Sequence, residues 1–503
     1  MTRLPATGAP PVRRLYAARE NRELDRRAIE EEGIPGIVLM RRAGAAAFAL
    51  LRSRWPSARS VTVFCGRGNN AGDGYVVAGL AKSRALDVQL LQVTDAADLR
   101  GDAARARDWA LEQGVVIEPF TPEVTLRGDV LVDGLLGTGL AGSVRPPFVG
   151  AVNKVNDAGL PVLALDVPSG LAADTGCVQG CAIRATATIT FIGVKRGLLT
   201  AEGPDHIGEL VFDDLGLPDS VYTGPEAPSG IRLLALGGDD LLLPRRPRNA
   251  HKGLFGHVLI VGGDHGMGGA VALAAQAALR CGAGLVTAAT REQHLAAILA
   301  RTPEVMVRPV VSRDDLLPML ERASVVVIGP GLGQEPWAEQ LFDVVLESKL
   351  PLVVDADGLN LLAAKALSRE DWVLTPHPGE AARLLETTTA AVSEDRFAAA
   401  SALQARYGGT VVLKGAGSLV VADDDLALSP YGNSGMATGG MGDVLSGVIA
   451  ALLAQGLPAM RATCLGVCLH GAAGDAAAAS GAVGLAASDL APHLRRLLEG
   501  VEA

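Results

Sequence analysis

Short runs of nearly unbroken apolar residues recur along this chain, and several stop at a polar residue. In the first half they are "SVTVFC" (60–65), "DVQLLQV" (87–93), "DVLVD" (129–133), "PVLALD" (161–166) and "TATITFI" (186–192). Runs of this length without polar alternation predict strands covered on both faces, as a parallel sheet between two helical layers requires. "GYVVAGLAK" (74–82) reads as the helix of a βαβ unit, and the amphipathic "ARENRELDRRAIEEEG" (18–33) as an N-terminal helix. After the Pro- and Gly-rich "TGPEAPSG" (223–230) the pattern restarts with "HVLIV" (257–261), the helix "AVALAAQAALRCG" (270–282) and "GLVTAAT". "SVVVIG" (324–329), "PLVVDAD" (351–357), "WVLTP" (372–376) and "TVVLKG" (410–415) follow as strands. The expectation is an α/β chain of two domains, 1–222 and 240–503, with a linker over 223–239. Its 503 residues are too many for one ordinary core.

Charge and composition narrow the partners. A net charge of −10 argues against nucleic acid, whose phosphates want a basic face. Cys65, Cys177, Cys181, Cys281, Cys464 and Cys468 form no CxxC pair, which predicts reduced, structural thiols. The apolar runs near 270–289 and 444–457 are broken by Gly, Arg or Gln before they reach about 20 residues, so no membrane span is expected. The first fifteen residues lack a secretory apolar core and read as a flexible extension. A cytoplasmic protein is expected.

Polar residues gather where the buried strands end, the place where open α/β sheets bind ligands. Asn69, Asn70 and Asp73 follow the first strand, Asp133 ends another, Asp166 and Ser169 lie in "LDVPSG", and Lys195 follows "TFIGV". Any one of them is explained as a helix cap or turn residue. "GRGNNA" fits the GxGxxA dinucleotide fingerprint, but no acid ends the next strand: Asp87 begins it and Asp95 lies just past it. The adjacent asparagines instead offer amide oxygens to a hard cation beside phosphate.

The second loop, "GMATGGMGDVLSG" (435–447), leads into Val444, Leu445, Val448, Ile449, Leu452 and Leu453 at helical spacing. A buried helix therefore begins at about Gly442 or Asp443, and its free N–H groups make an anion site. Asp443 stands beside that site, placed for proton work on a hydroxyl; as a plain first-turn acid it would only favour the helix dipole.

"GRGNNAGDGYVVA", "VDGLLGTGL", "LDVPSGLAADTG" and "ITFIGVKRGLLT" together resemble the NAD(P)H-hydrate epimerase domain, over about residues 14–220. The resemblance implies a Rossmann-like α/β/α layer and a potassium ion held by Asn70, Asp133 and Ser169. It implies substrate contacts from Asn69, Asn70, Ala71, Gly72 and Asp73, from Gly137, Thr138, Gly139, Leu140, Ala141, Gly142 and Ser143, and from Asp166. Ala71 stands where the family usually has Gly. Asp166, with Lys195 as charged partner, is the candidate for acid–base work.

"HKGLFGHVLIVGGDHGMGGA", "VIGPGLG", "VVDADGLNLL", "LTPHPGEAARLL" and "VVLKGAGSLVV" resemble the ADP-dependent NAD(P)H-hydrate dehydratase domain, across about 240–500. The glycine loop with Asp443 is similar to the Gly-Xaa-Gly-Asp anion hole of ribokinase-like enzymes, which implies a ribokinase-like α/β/α layer. By this resemblance Ala270, Gly333, His377 and Asp443 contact the hydrated dinucleotide, and Lys414, Gly415, Ala416, Gly417, Ser418 and Gly442 hold ADP or AMP. Ser418 replaces the usual Thr, and Met267 lies near where a tyrosine is common. The activity implied is repair of hydrated NADH and NADPH, with ADP as co-substrate, Mg²⁺ and K⁺ as cofactors and a homo-oligomeric state. Two rivals stand beside it: a small-alcohol kinase, which leaves the first domain unexplained, and an epimerase-like binding module without chemistry.

Overall fold

The computed structural model describes residues 2–3, 13–238, 241–365 and 367–501. Of the extension expected over the first fifteen residues, 1 and 4–12 lie outside the described residues, as do 239 and 240, where the expected linker meets the second domain, and 502–503 at its end. The chain divides into two compact units, Met1–Arg232 and Leu233–Ala503. Within 223–239, Ile231–Leu233 is a short strand, whose Ile231 and Arg232 pair antiparallel with Leu15 and Arg14.

In the first unit seven parallel strands lie in the order Glu209–Asp213, Ala187–Phe191, Val162–Leu165, Val130–Gly134, Ser60–Cys65, Asp87–Gln92 and Ile117–Pro119. Thr2–Arg3 adds an antiparallel edge. Val61, Val63, Phe64 and Cys65 are fully buried, as the apolar runs require. The chain goes from Ser60–Cys65 to one side of the sheet and returns to the other at Val130–Gly134. Connections diverge at that point and leave a crevice at the strands' carboxyl ends.

Sequence patterning places the next helix over 74–82, with a glycine loop before it; the helix spans Asn69–Ser83. Its glycines are there for close packing. A Cβ on Gly72 would stand 2.4 Å from Met40 Sδ, and one on Gly74 3.0 Å from Cys65 Sγ. The N-terminal helix, expected over 18–33, is α-helical over Ala18–Arg26 and widens to a π-helix at Arg27–Glu31. The wide turn begins at Arg27, whose buried guanidinium donates to the carbonyls of Ser220, Val221 and Thr223.

The second unit's strands run Met306–Pro309, Leu285–Thr290, His257–Val261, Val325–Ile328, Leu352–Val354, Trp372–Leu374 and Thr410–Leu413, all parallel. The antiparallel hairpin Ser418–Ala422 and Asp425–Ser429 follows. Here the order reverses between His257–Val261 and Val325–Ile328. The helix expected from Gly442 or Asp443 spans Met441–Ala454, one residue earlier, because Gly440 at φ +91° turns the chain into it. It packs against the helix Gly268–Arg280 so closely that a Cβ on Gly447 would lie 2.1 Å from the Ala274 carbonyl oxygen. All six cysteines are free, and no helix among the described residues is long and apolar enough to cross a membrane.

That contact generates a prediction. Gly447→Val should lower the second unit's stability by about 1–3 kcal/mol, as overpacking does, read as an earlier unfolding midpoint in urea.

Candidate functional site

Asp133 ends a central strand at the first unit's reversal point and is fully buried. Its carboxylate accepts from Ser169 Oγ at 2.6 Å, Ser169 N at 2.8 Å and Leu135 N at 3.2 Å. Burial pushes the Asp133 carboxyl up to about 6, against the pull of these donors. Asn70, in the first turn of its helix, donates from Nδ2 to the Leu136 carbonyl at 3.0 Å, while its buried Oδ1 has no hydrogen-bond partner. An amide oxygen left unmatched in a protein interior is costly unless something meets it. Gly137 lies against Asn70, with room for a Cβ only 3.3 Å from Asn70 Cβ; Thr138 and Leu140 are half-buried, and Gly139 and Ala141–Ser143 are exposed.

One strand further out, Asp166 sits at φ +63°, a left-handed conformation that costs a non-glycine residue roughly 1–3 kcal/mol. Its carboxylate is ion-paired with Lys195, which is fully buried and also donates to the Phe191 carbonyl at 2.9 Å. Lys195 is thus an interior group, not a surface cation. Asp73 lies one turn into the helix that begins with Asn69, and Ala71 and Gly72 are buried beneath it. Burial, then Asp166 and Asp25, raise the Asp73 carboxyl well above the usual range. Asp25 was not singled out from the sequence; its signal is an acid on the buried stripe of an amphipathic helix.

In the second unit the central group is Asp355, another acid at a strand end that sequence patterning passes over. It is 1 % exposed and accepts from Lys414 Nζ and Thr375 Oγ1 on one oxygen and Ser446 Oγ on the other, each at 2.8 Å. Burial opposes its charge, yet Lys414 and these hydrogen bonds hold its carboxyl below the usual range. Lys414 Nζ also lies 3.7 Å from Glu380 Oε2. Gly442 lies over the pair, since a Cβ there would stand 3.2 Å from Lys414 Nζ and 3.4 Å from Asp355 Oδ2. Beside it the Asp443 carboxyl is raised to about 7 by burial and then by Asp355, with Lys414 opposing and Asp357 and Glu380 adding.

The other expected contacts fall around this center. The buried guanidinium of Arg396 donates to the carbonyls of Leu413, Lys414 and Gly417, so the loop exposes Gly415 and Ala416. Ser418 Oγ donates to the Gly415 carbonyl at 3.1 Å. His377 is exposed and caps the helix Pro378–Leu384, Nδ1 accepting from Gly379 N at 3.0 Å. At the reversal point, Gly333 N donates to Asp357 Oδ2 at 2.9 Å, and Ala270 and Met267 pack against Gly331. Asp264, also missed in the sequence, borders Gly333 and is held by Arg291 at 2.7 Å.

Two α/β units, each with buried charges at the carboxyl ends of its sheet, define a two-domain enzyme with a ribokinase-like second domain. The family described as NAD(P)H-hydrate dehydratase matches residues 258–496, and the one described as YjeF-related protein N-terminus matches 36–197. The bifunctional NAD(P)H-hydrate repair enzyme Nnr of Coxiella burnetii is 50% identical over 96% of this chain and 99% of its own. Its namesake in Escherichia coli is 45% identical over 96% and 94%. A ribokinase-like superfamily protein from Enterococcus faecalis, 30% identical, superposes with a TM-score of 0.51 over 56% of this chain and 99% of its own. The chain belongs to the bifunctional NAD(P)H-hydrate repair enzymes.

The Asp355–Lys414 pair carries a stability prediction. Lys414→Met leaves a buried carboxylate unpaired and should cost about 3–5 kcal/mol. In the wild type the Asp355 carboxyl is lowered on folding, so its contribution is present above the unfolded carboxylate pKa and is lost as pH falls. Without the ammonium the sign reverses, and urea unfolding of the variant should show stability rising as pH falls from 7 toward 4.

Proposed function

We propose that the first unit interconverts the R and S hydrates of NADH and NADPH and that the second dehydrates the S form at the expense of ADP. The observation that supports this best is that both charged centers are intact in one chain that aligns along its length with bifunctional repair enzymes. A kinase acting on a small alcohol gives no reason for the first center.

Hydroxide is a poor leaving group and phosphate a good one, which is the use of a kinase-like site in a dehydratase. Asp443 takes the proton of the ring hydroxyl, the oxygen attacks the β-phosphorus of ADP, and AMP leaves. Loss of phosphate with a proton from the neighbouring carbon then restores the ring double bond. The first-turn N–H groups of the helix Met441–Ala454 point at the transferring phosphoryl oxygens and stabilise their charge. The Lys414 ammonium, fixed by Asp355, adds positive charge beneath Gly442. Among the described residues no three acidic, His or Cys side chains converge as a metal cage. That suits Mg²⁺ carried on the nucleotide's phosphates, where it would offset their charge.

In the first unit, Asn70 Oδ1, Asp133 and Ser169 supply one carboxylate and neutral oxygens, a donor set that suits K⁺, and the unmatched Asn70 oxygen fits such an ion. Potassium there would fix Asn70 and the adjoining 137–143 loop against the substrate's phosphates. Asp166, poised on Lys195, exchanges protons with the hydrated carbon's oxygen.

Recovery of reduced-nicotinamide absorbance from a mixed-epimer hydrate, with ADP, Mg²⁺ and K⁺, tests the whole reading. Wild type should recover all of it, Asp166→Ala only the S fraction at short times, and Asp443→Asn none. Because the Asp443 base works when deprotonated and titrates at about 7, dehydration of the S form should rise with pH through that value. Replacing K⁺ by Li⁺ should slow epimerisation and leave dehydration of the S form unchanged; equal epimerisation rates in the two salts would overturn the potassium assignment.

A further inference from the structure

The N-terminal helix Ala18–Arg26 carries one acid on its inner face. Outside, Arg26 is ion-paired with Glu23, Glu30 and Glu31. Inside, Ala18, Asn21, Leu24 and Ala28 are buried, and half-buried Asp25 falls in that stripe one turn after Asn21. The stripe faces the Lys195 edge. Tyr16, just before the helix, pairs with Lys195, and Asn21 Oδ1 lies 2.7 Å from where a Cβ on Gly193 would stand.

Asn21 is 6 % exposed, yet its Oδ1 has no hydrogen-bond partner. The Asp25 carboxyl has no hydrogen bond among the described residues either; the charged or titratable groups that act on it are Lys195 and Asp166, while it acts in turn on Asp73 and Tyr222. A buried amide oxygen without a partner is costly unless something meets it, and the half-buried Asp25 carboxyl beside it stays open to a partner. Two unmatched groups, one turn apart beside the Lys195–Asp166 pair, point to a ligand between them.

Stereochemistry supplies the need. Water adds to an enamine with its oxygen on the carbon beside nitrogen, so the hydrated carbon bears both OH and ring N. Inverting it through a planar intermediate requires proton transfer on both ring faces, and one carboxyl cannot reach both. We propose that Asp25 is the second proton-transfer residue of epimerisation, serving the ring face opposite Asp166, with Asn21 Oδ1 accepting a hydrogen bond from the same substrate. The inference rests on the epimerase reading above.

Protonated Asp25 gives its proton to the hydroxyl; the C–O bond breaks, the nitrogen lone pair forms a C=N bond, and water leaves. A water then adds from the other face, the C=N pair returns to nitrogen, and the surplus proton passes to Asp166. The reverse epimerisation runs the two carboxyls in the opposite order. Burial, with Asp166 adding and Lys195 opposing, lifts the Asp25 carboxyl to about 6, which keeps an acid form available near neutrality.

Interconversion of a purified S hydrate of NADH, followed by chromatography with the full chain and no ADP, is the test. Asp25→Asn should slow it by at least about a hundredfold, the lower range for a lost general acid or base. The wild-type rate should titrate near pH 6, a step absent from the variant. ADP-dependent recovery from the S hydrate, carried by the other unit, should match wild type and show that the loss is confined to the first unit. Asp25→Ala should be equally slow and regain rate with added formate, which packing alone does not produce. An unchanged rate in Asp25→Asn, or an Asp25→Ala that formate leaves slow, overturns the proposal while epimerisation stands. A wild type that fails to interconvert the hydrates overturns the epimerase reading and the proposal with it.

Discussion

A strand covered by helices on both faces can hold a charge cheaply only where it ends, because along its length there is neither water nor a free hydrogen-bonding group to meet one. Both sheets here obey this constraint, and both sites follow from it. Asp133, Asp166, Asp355 and Lys414 each lie at or just past the carboxyl end of a buried strand. Strand reversal in the first sheet then opens a crevice where Asp133 meets Ser169, and Asn70 and Ser169 both bond the Leu136 carbonyl, groups from separate connections that no local sequence relation brings together.

Lys414 and Lys195 solve related problems with different surroundings. Lys414 lies against an acid that is already saturated: Asp355 takes a donor from Lys414, one from Thr375 and one from Ser446. With that charge fixed, the next carboxyl, Asp443, meets an anion as well as burial and is held near 7, where a general base is most useful. Lys195 lies against Asp166, on a strained turn, and the surrounding acids are Asp25 and Asp73, both raised chiefly by burial. In each case one ion pair is fixed and a neighbouring carboxyl is made easier to protonate, which is how acids of one kind come to play two roles.

Much of this was legible in the sequence because it is written locally. Uninterrupted apolar runs mark the strands, with Asn70, Asp133, Asp166 and Lys195 close to their ends, and Asp443 opens a helix of its own. The exceptions are instructive. Gly72 looks like a loop residue, yet it lies inside a helix at a place where Met40 leaves no space for a side chain, a fact held by distant packing. Asp355 resembles any strand-end acid until Lys414, far along the chain, is brought to it. Asp25 is visible only as a mismatch between charge and helical face, since everything that gives it meaning comes from the Lys195 edge. Local chemistry was readable; the partners across the sheet were not.

Gly442 shows how tightly these layers are joined. The anion-binding helix end, the Asp355–Lys414 pair and the Asp443 base each have their own local explanation, but they meet at a position with no side chain. A Cβ there would stand 3.2 Å from Lys414 Nζ and 3.4 Å from Asp355 Oδ2, crowding the charges against the helix end. The field of the ammonium is strong enough to matter at the loop only at such range, because in a partly wet site it weakens steeply once water enters between. The glycine at this place therefore belongs to the electrostatics of the site as much as to its backbone.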